Sequence, residues 1–142
     1  MHRCAMLALL LCAAAGCHRV PDEQAIRDAI ATAASAAGAQ RSGDVLAIVS
    51  DDFTGNNGEF DRARVAQLLR ARLLARSVTV GTGAVEVDLD GDRAAATFDA
   101  TFSDSSGRWL IEHGRTLHFV TGWRREGGTW RCYNARWTDA GP

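Results

Sequence analysis

Four side chains in the C-terminal third of the sequence could together bind an organic anion. His113 and Arg115 lie on one predicted strand and Tyr133 and Trp137 lie on another, and each shares the parity of the large apolar residues around it. Since alternate residues of a strand face opposite sides of a sheet, all four are predicted to face the covered side. An arginine buried there needs an anionic partner. The set therefore predicts a ligand site with an arginine anchor, a histidine and two aromatic walls.

The alternative is that Arg115 has only a structural role. It could pair with a carboxylate on a helix, such as Asp28 or Glu23, while Tyr133 and Trp137 fill the core. The two interpretations differ in what they predict beside the arginine, which is an open pocket in the first and a filled core in the second. The sequence is compatible with both.

No motif in the sequence predicts catalysis, a cofactor or a metal. The chain contains no phosphate-binding loop, dinucleotide fingerprint, zinc-ligand spacing or nucleophile elbow. The segment DLDGDR resembles part of a calcium loop, but Arg93 stands where such a loop needs glycine, so a tight turn between strands is the better interpretation. His113 and His118 are five residues apart, which predicts that they point to opposite faces of a strand unless Gly114 forms a bulge. We therefore predict no catalytic residue, no cofactor and no metal ligand.

The N-terminal segment predicts export and lipid attachment. A basic start is followed by an uncharged apolar run from Met6 to Ala15, which is too short to span a bilayer and has the pattern of a signal peptide. The run ends in the sequence AAGC, which resembles the lipobox of bacterial lipoproteins, so Cys17 is the predicted site of lipid attachment. On this interpretation residues 1–16 are removed and residues 17–22 form a tether. The alternative is an ordinary secretory signal, with Cys17 incidental.

Lipid attachment would place the protein in the bacterial cell envelope, facing the periplasm. His18 stands where lipoproteins retained at the inner membrane carry aspartate, which favours the outer membrane. The 16 basic and 17 acidic side chains nearly balance, so no nucleic-acid partner is predicted. The expected partners are the membrane, reached through the lipid, and a small-molecule ligand.

The rest of the chain predicts one domain, residues 23–138, followed by a short tail at 139–142. Apolar residues at helical spacing predict three helices, and from Val78 the period changes to two, which predicts four strands. The helices are predicted at DEQAIRDAIATAASAAGAQ, at Asp44–Ser50 and from Asp61, and the strands at 78–89, 93–102, 108–125 and 129–138. Because each strand follows its neighbour through a short turn, the expected fold class is α+β, with three N-terminal helices packed on a curved four-stranded antiparallel meander.

The order of these elements resembles the nuclear transport factor 2-like superfamily, which includes polyketide cyclase-like and ketosteroid isomerase-like proteins. The segments that carry the resemblance are DVLAIVSDDFTG, GRTLHFVTGWRREGGTWRCYNARWTD and the helix after GEF. The resemblance implies a cone-shaped fold whose sheet wraps the first helix and leaves a pocket at the open end. It also implies a homodimer through the outer sheet face, which many members form. It implies no single activity, because the fold hosts enzymes, binding domains and assembly modules.

Two residues that the resemblance would lead one to expect for catalysis are missing. The general-base aspartate of ketosteroid isomerase-like proteins falls near Asn57, which cannot ionise, and the first helix contains no tyrosine. We therefore expect a lipid-anchored protein that binds a small organic anion or a protein partner without catalysis. The alternatives are an isomerase, dehydratase or cyclase acting in the pocket, and a dimeric assembly module that uses the outer sheet face.

Overall fold

The structure, a computed structural model, describes residues 19–75, 78–104 and 115–141. Cys17 and His113 lie outside these residues. Lipid attachment at the first and ligand binding at the second therefore stay predictions.

Three helices precede most of the sheet, and the first packs the apolar stripe that its sequence predicts. They are α1 Asp22–Gly38, α2 Ser42–Ala47 and α3 Arg62–Ala75. Helix α1 begins directly after Pro21 and carries two acidic residues in its first turn, where the helix dipole favours negative charge. Ile26 and Ile30 on its inner face are 0% and 4% exposed. Burial of this stripe holds α1 against the sheet.

Helix α3 starts where its capping residue predicts. The backbone N–H of Arg64 donates to Oδ1 of Asp61 at 2.7 Å, which satisfies one of the free donors at the helix start. On the inner side Val65 and Leu69 are half-buried, whereas Leu68 is 41% exposed. The face of α3 that points inward is therefore only partly covered.

Seven strands form one mixed sheet. They are β1 Val49–Gly55, β2 Phe60–Asp61, β3 Val78–Thr82, β4 Glu86–Asp90, β5 Arg93–Asp104, β6 Arg115–Glu126 and β7 Thr129–Asp139. Their order is β2-β1-β7-β6-β5-β3, and β4 also pairs with β5. All pairs are antiparallel except β1 with β7, which is parallel.

The predicted four-stranded antiparallel meander is therefore wrong in two respects. The first predicted strand is divided into β3 and β4, because each pairs with a different part of β5, and the backbone N–H of Gly83 between them donates to the Asp99 carbonyl at 2.9 Å. The second predicted helix ends early, at Ala47, and the chain from Val49 enters the sheet beside β7. The α+β class and the three helices are confirmed.

A bulge in β7 changes which of its residues face inward. Gly122 of β6 pairs with Asn134 and Trp123 pairs with Cys132, so Tyr133 is an extra residue on β7. Such a bulge reverses the facing of residues on one side relative to the other. Ala135 on the far side of the bulge is 6% exposed and faces the core, as Cys132 does on the near side.

The main core closes one end of the molecule. Trp123 and Trp130 pack with Phe53 and with the isoleucines of α1. At this end Asp22 accepts a hydrogen bond from the Trp130 indole at 3.1 Å and forms an ion pair with Arg125 at 2.6 Å. The start of α1 is thus held to the β6–β7 turn.

Candidate functional site

A cavity of about 760 Å³ lies between the inner face of the sheet and the helices. The part of the wall that α1 contributes consists largely of the small side chains Ala33, Ala34 and Ala37, which leave space opposite the phenylalanines of β5 and β6. Leu68 of α3 lines the same space, which accounts for its exposure. Alanine on the helix combined with large residues on the sheet therefore creates the cavity.

The floor of the cavity has buried polar groups that are already paired. Thr121 is 5% exposed, donates from Oγ1 to the Ala96 carbonyl at 2.8 Å and accepts from Nε1 of Trp123 at 2.8 Å. Since both hydrogen bonds are formed inside the protein, the floor presents apolar surface to a ligand.

A row of aromatic rings crosses the sheet wall of the cavity. Phe98, Phe119 and Trp137 lie opposite one another on β5, β6 and β7. The two phenylalanine rings are nearly parallel, with centroids 5.2 Å apart, and the Phe119 and Trp137 centroids are 6.1 Å apart. At Gly55 a Cβ atom would come within 2.9 Å of the Trp137 ring, so only glycine allows the indole this position. Trp137 lines the cavity, as the sequence predicts.

Arg115 lies at the rim of the cavity, at the first residue of β6. Its Nε donates to Oδ1 of Asp139 at 2.8 Å, and Nη2 donates to Oδ2 at 3.4 Å. The Arg115 side chain is 51% exposed, so the expectation that it is buried is wrong. The guanidinium holds the pKa of the Asp139 carboxyl below its ordinary value. The partner is a carboxylate of β7, and neither Asp28 nor Glu23 of α1 takes that place.

Tyr133 lies on the outer face of the sheet, away from the cavity. Its ring covers Gly122, where an added Cβ would come within 3.1 Å of the tyrosine ring. The guanidinium groups of Arg93 and Arg124 lie 5.2 and 5.3 Å from the ring centroid. The prediction that Tyr133 faces inward with Trp137 is wrong, because Tyr133 is itself the extra residue of the bulge in β7. The structure thus places two of the four predicted residues, Arg115 and Trp137, at the cavity.

The described cavity wall contains no residue that titrates near neutral pH. Its described lining holds no histidine and no carboxylate. The buried thiol of Cys132 lines the cavity, and burial raises its pKa to about 12, so it stays protonated. The imidazole of His118 contacts the Asp99 carboxylate at 2.7 Å, but this pair lies on the outer face of the sheet.

None of the helices in the described residues combines the length and apolar character that crossing a membrane requires. Among the same residues no three His, Cys, Asp or Glu side chains are grouped so that they could hold a metal ion.

Several lining residues come from elements that the sequence did not place at a site. Val49 and Phe53 belong to the unpredicted strand β1, and Leu68 and Leu69 belong to α3. The signal for the cavity in the sequence is the alanine-rich stripe of α1, because small residues on a long helix predict either close packing or unfilled space beside the helix.

Comparisons with solved structures agree on the fold. No protein-family model matches the sequence, and no curated protein is significantly similar to it. An NTF2-like protein from Pseudomonas putida superposes with a TM-score of 0.69 at 18% identity, covering 82% of this chain and 84% of that chain. A scytalone dehydratase-like protein from Novosphingobium aromaticivorans gives 0.71 at 11% identity, covering 84% of each chain. A protein of cystatin-like fold from Nostoc punctiforme gives 0.69 at 14%, covering 83% and 90%.

The chain therefore has the nuclear transport factor 2-like fold, an α+β arrangement of helices on a mixed sheet. The resemblance inferred from the sequence is confirmed at this level. The fold hosts proteins of many functions, so it does not by itself determine the function of this chain.

Proposed function

We propose that this protein is a lipid-anchored component of the bacterial cell envelope, facing the periplasm, whose cone binds a small amphipathic organic anion without transforming it. The observation that carries the proposal is the apolar cavity of about 760 Å³ with Arg115 at its rim. A cavity of this size suits a small ligand. A guanidinium can hold a carboxylate through two parallel hydrogen bonds, and Trp137 supplies an aromatic wall.

The described wall of the cavity supports binding over catalysis. General acid–base catalysis needs a side chain that exchanges protons near the working pH and reaches the substrate. The described lining offers none, and the pair of His118 and Asp99 faces the other side of the sheet. Isomerase, dehydratase or cyclase activity, which the scytalone dehydratase-like neighbour would suggest, is therefore the alternative.

A thermal-shift screen of small organic acids tests the proposal. A bound acid at about one hundred times its dissociation constant should raise the melting temperature by roughly 8–12 °C. The protein is the full chain carrying Cys17→Ser, so that no detergent competes for the cavity. Arg115→Met should lose most of the stabilisation, because methionine keeps much of the packing and removes the charge.

Arg41→Met is the matched control, because Arg41 is an exposed arginine that pairs with Asp44 at 2.8 Å and does not line the cavity. The acids should raise the melting temperature of this control variant as much as that of the wild-type protein. An equal response of the Arg115→Met protein would reject Arg115 as the anchor. A screen in which no acid stabilises the protein would reject the proposed ligand class.

A second candidate function, assembly into a homodimer, is favoured by the charges on the outer sheet face. Val87 and Leu89 of β4 pack against the core, so the alternate residues of this strand face outward. The outward residues are Glu86, Asp88 and Asp90 on β4, and Arg131 and Arg136 on β7. One side of the outer face is therefore acidic and the other side is basic.

The strand registers make these charges complementary to a second copy. Asp90 lies level with Arg131 and Glu86 lies level with Arg136, because the paired residues can be followed from β4 through β5 and β6 to β7. A two-fold axis parallel to the strands would place β4 of one copy over β7 of the other. Sheets packed face to face are about 10 Å apart, which an arginine and a carboxylate can span. Such a contact would be symmetric and closed.

Charge reversal tests this arrangement. Glu86→Arg alone and Arg136→Glu alone should each weaken the dimer by about ten- to a hundredfold, because each contact occurs twice. The double variant should recover most of the affinity, since the exchanged charges face each other again. Sedimentation velocity measures the dissociation constant, and Asp28→Arg on the exposed side of α1 is the control. A monomeric wild-type protein, or a double variant as weak as the single ones, would reject the dimer.

A further inference from the structure

The cavity is long and follows a single strand. Arg115 at the rim and Trp123 at the floor both line it, and they lie eight residues apart on β6. At about 3.3 Å per residue this corresponds to about 26 Å. The residues of the same parity between them, Leu117, Phe119 and Thr121, line the cavity as well. The space is therefore a deep slot with its charged residue at one end.

The chemistry of the slot limits what can fill it. Below Thr82, which is level with Leu117 near the rim, its described surface is aliphatic or aromatic apart from the hydroxyl of Thr121, the indole N–H of Trp123 and the thiol of Cys132, and these three groups are already hydrogen-bonded. A sugar, a nucleotide or a polyhydroxylated ring would leave polar groups unpaired in this surface, which is costly. The part of the ligand inside the slot must be apolar along its whole length.

The contact between Arg115 and Asp139 leaves the guanidinium available to a ligand. The two side chains are 51% and 66% exposed, and exposed ion pairs of this kind are weak. A ligand carboxylate can take the place of the Asp139 carboxylate, because it offers the same two oxygen acceptors. Asp139 thus acts as a competitor that keeps Arg115 oriented at the rim.

We propose that the ligand is a monocarboxylate with one long unbranched apolar chain, of the fatty-acid class. Its carboxylate binds Arg115 in exchange for Asp139, and its chain lies along β6 towards Trp123. This inference rests on the proposed function and specifies the ligand of the same site.

A chain-length series gives the first test. Saturated fatty acids and the primary alcohols of equal length are titrated into the full chain carrying Cys17→Ser, by calorimetry and below the aggregation threshold of each compound. Each added methylene should raise the affinity about fourfold, as expected for burial of one CH₂ group. The gain should stop when the chain end reaches Trp123. If the affinity does not rise with the length of the fatty acid and then level off, the proposal that the slot holds an apolar ligand chain is overturned.

Two variants at the rim give the second test. Asp139→Asn should raise the affinity for the acids about two- to fivefold, because it removes the competitor for the guanidinium. Arg115→Met should lower it at least about tenfold, towards that of the matched alcohol. The affinity for the alcohols should not change in either variant. A merely structural role of the pair would not produce opposite effects that are confined to the acids.

The outcomes separate this inference from the proposed function. Acids and alcohols that bind equally, with no effect of Asp139→Asn, would overturn the carboxylate assignment while cavity binding stands. A polycyclic carboxylate that binds more tightly than every linear acid would overturn the chain and leave the anion site. If no compound binds, both the inference and the proposed function are rejected.

Discussion

Replacing Trp123 with alanine is expected to lower the free energy of unfolding by about 3–5 kcal/mol, the usual loss for a large aromatic residue in a core. Trp123 is 1% exposed and packs in the core cluster with Ile26 and Trp130. Its truncation removes packing contacts of this core cluster and leaves a void that joins the existing cavity. Thr121 loses the indole donor but keeps its bond to the Ala96 carbonyl, so most of the loss is packing. Urea unfolding followed by circular dichroism measures the change.

Phe98→Ala is the matched comparison, because Phe98 has the same inward parity on the neighbouring strand. Its side chain is half-buried, borders the cavity and stacks on Phe119. Since part of its surface already faces open space, its truncation should cost less, about 1–3 kcal/mol. Trp123→Phe should recover much of the stability that Trp123→Ala loses. Equal losses for the two alanine variants would mean that the cavity is filled by packing in solution.

The parts of the fold that the sequence predicts are those controlled by local spacing. The helical spacing of α1, the start of α3 next to Asp61 and the period of two along β5 all agree with the structure. Each depends on residues close together in sequence, whose periodicity identifies the buried face. Strand β1 has no such signal, because its parallel pairing with β7 joins distant segments and its apolar run is as compatible with a short helix.

At Tyr133 the assignment of inward and outward faces from residue spacing fails. Apolar residues of β7 occupy Trp130 and Cys132 and then Ala135 and Trp137, so the parity of the buried side changes between the two pairs. That change is visible in the sequence and indicates a bulge, which reverses the facing of Tyr133. The exposure of Arg115 and its pairing with Asp139 depend on where β6 begins and β7 ends. Element ends are set by tertiary contacts, and residue spacing does not reveal them.

The mouth of the cavity lies at the opposite end of β6 from the start of α1, which follows the predicted tether. Cys17 is five residues before Asp22, and extended chain of that length reaches about 17 Å. Asp22 is fixed to Arg125 at the β6–β7 turn. The rim at Arg115 lies ten residues along β6 from Arg125, or about 33 Å. We therefore expect the cavity of the anchored protein to open away from the end that is attached to lipid.

Cys17→Ser should release the protein to the soluble fraction or leave its signal segment unprocessed, and in both cases it should abolish the diacylglyceryl mass that the wild-type chain is expected to carry on Cys17. Two acyl chains hold a protein at a bilayer stably. Cys132→Ala is the control, because this buried cysteine should not affect fractionation. Since the cavity opens at the far end, ligand affinity should be the same with and without the lipid. A wild-type product that is soluble and unmodified would show that the segment is an ordinary secretory signal.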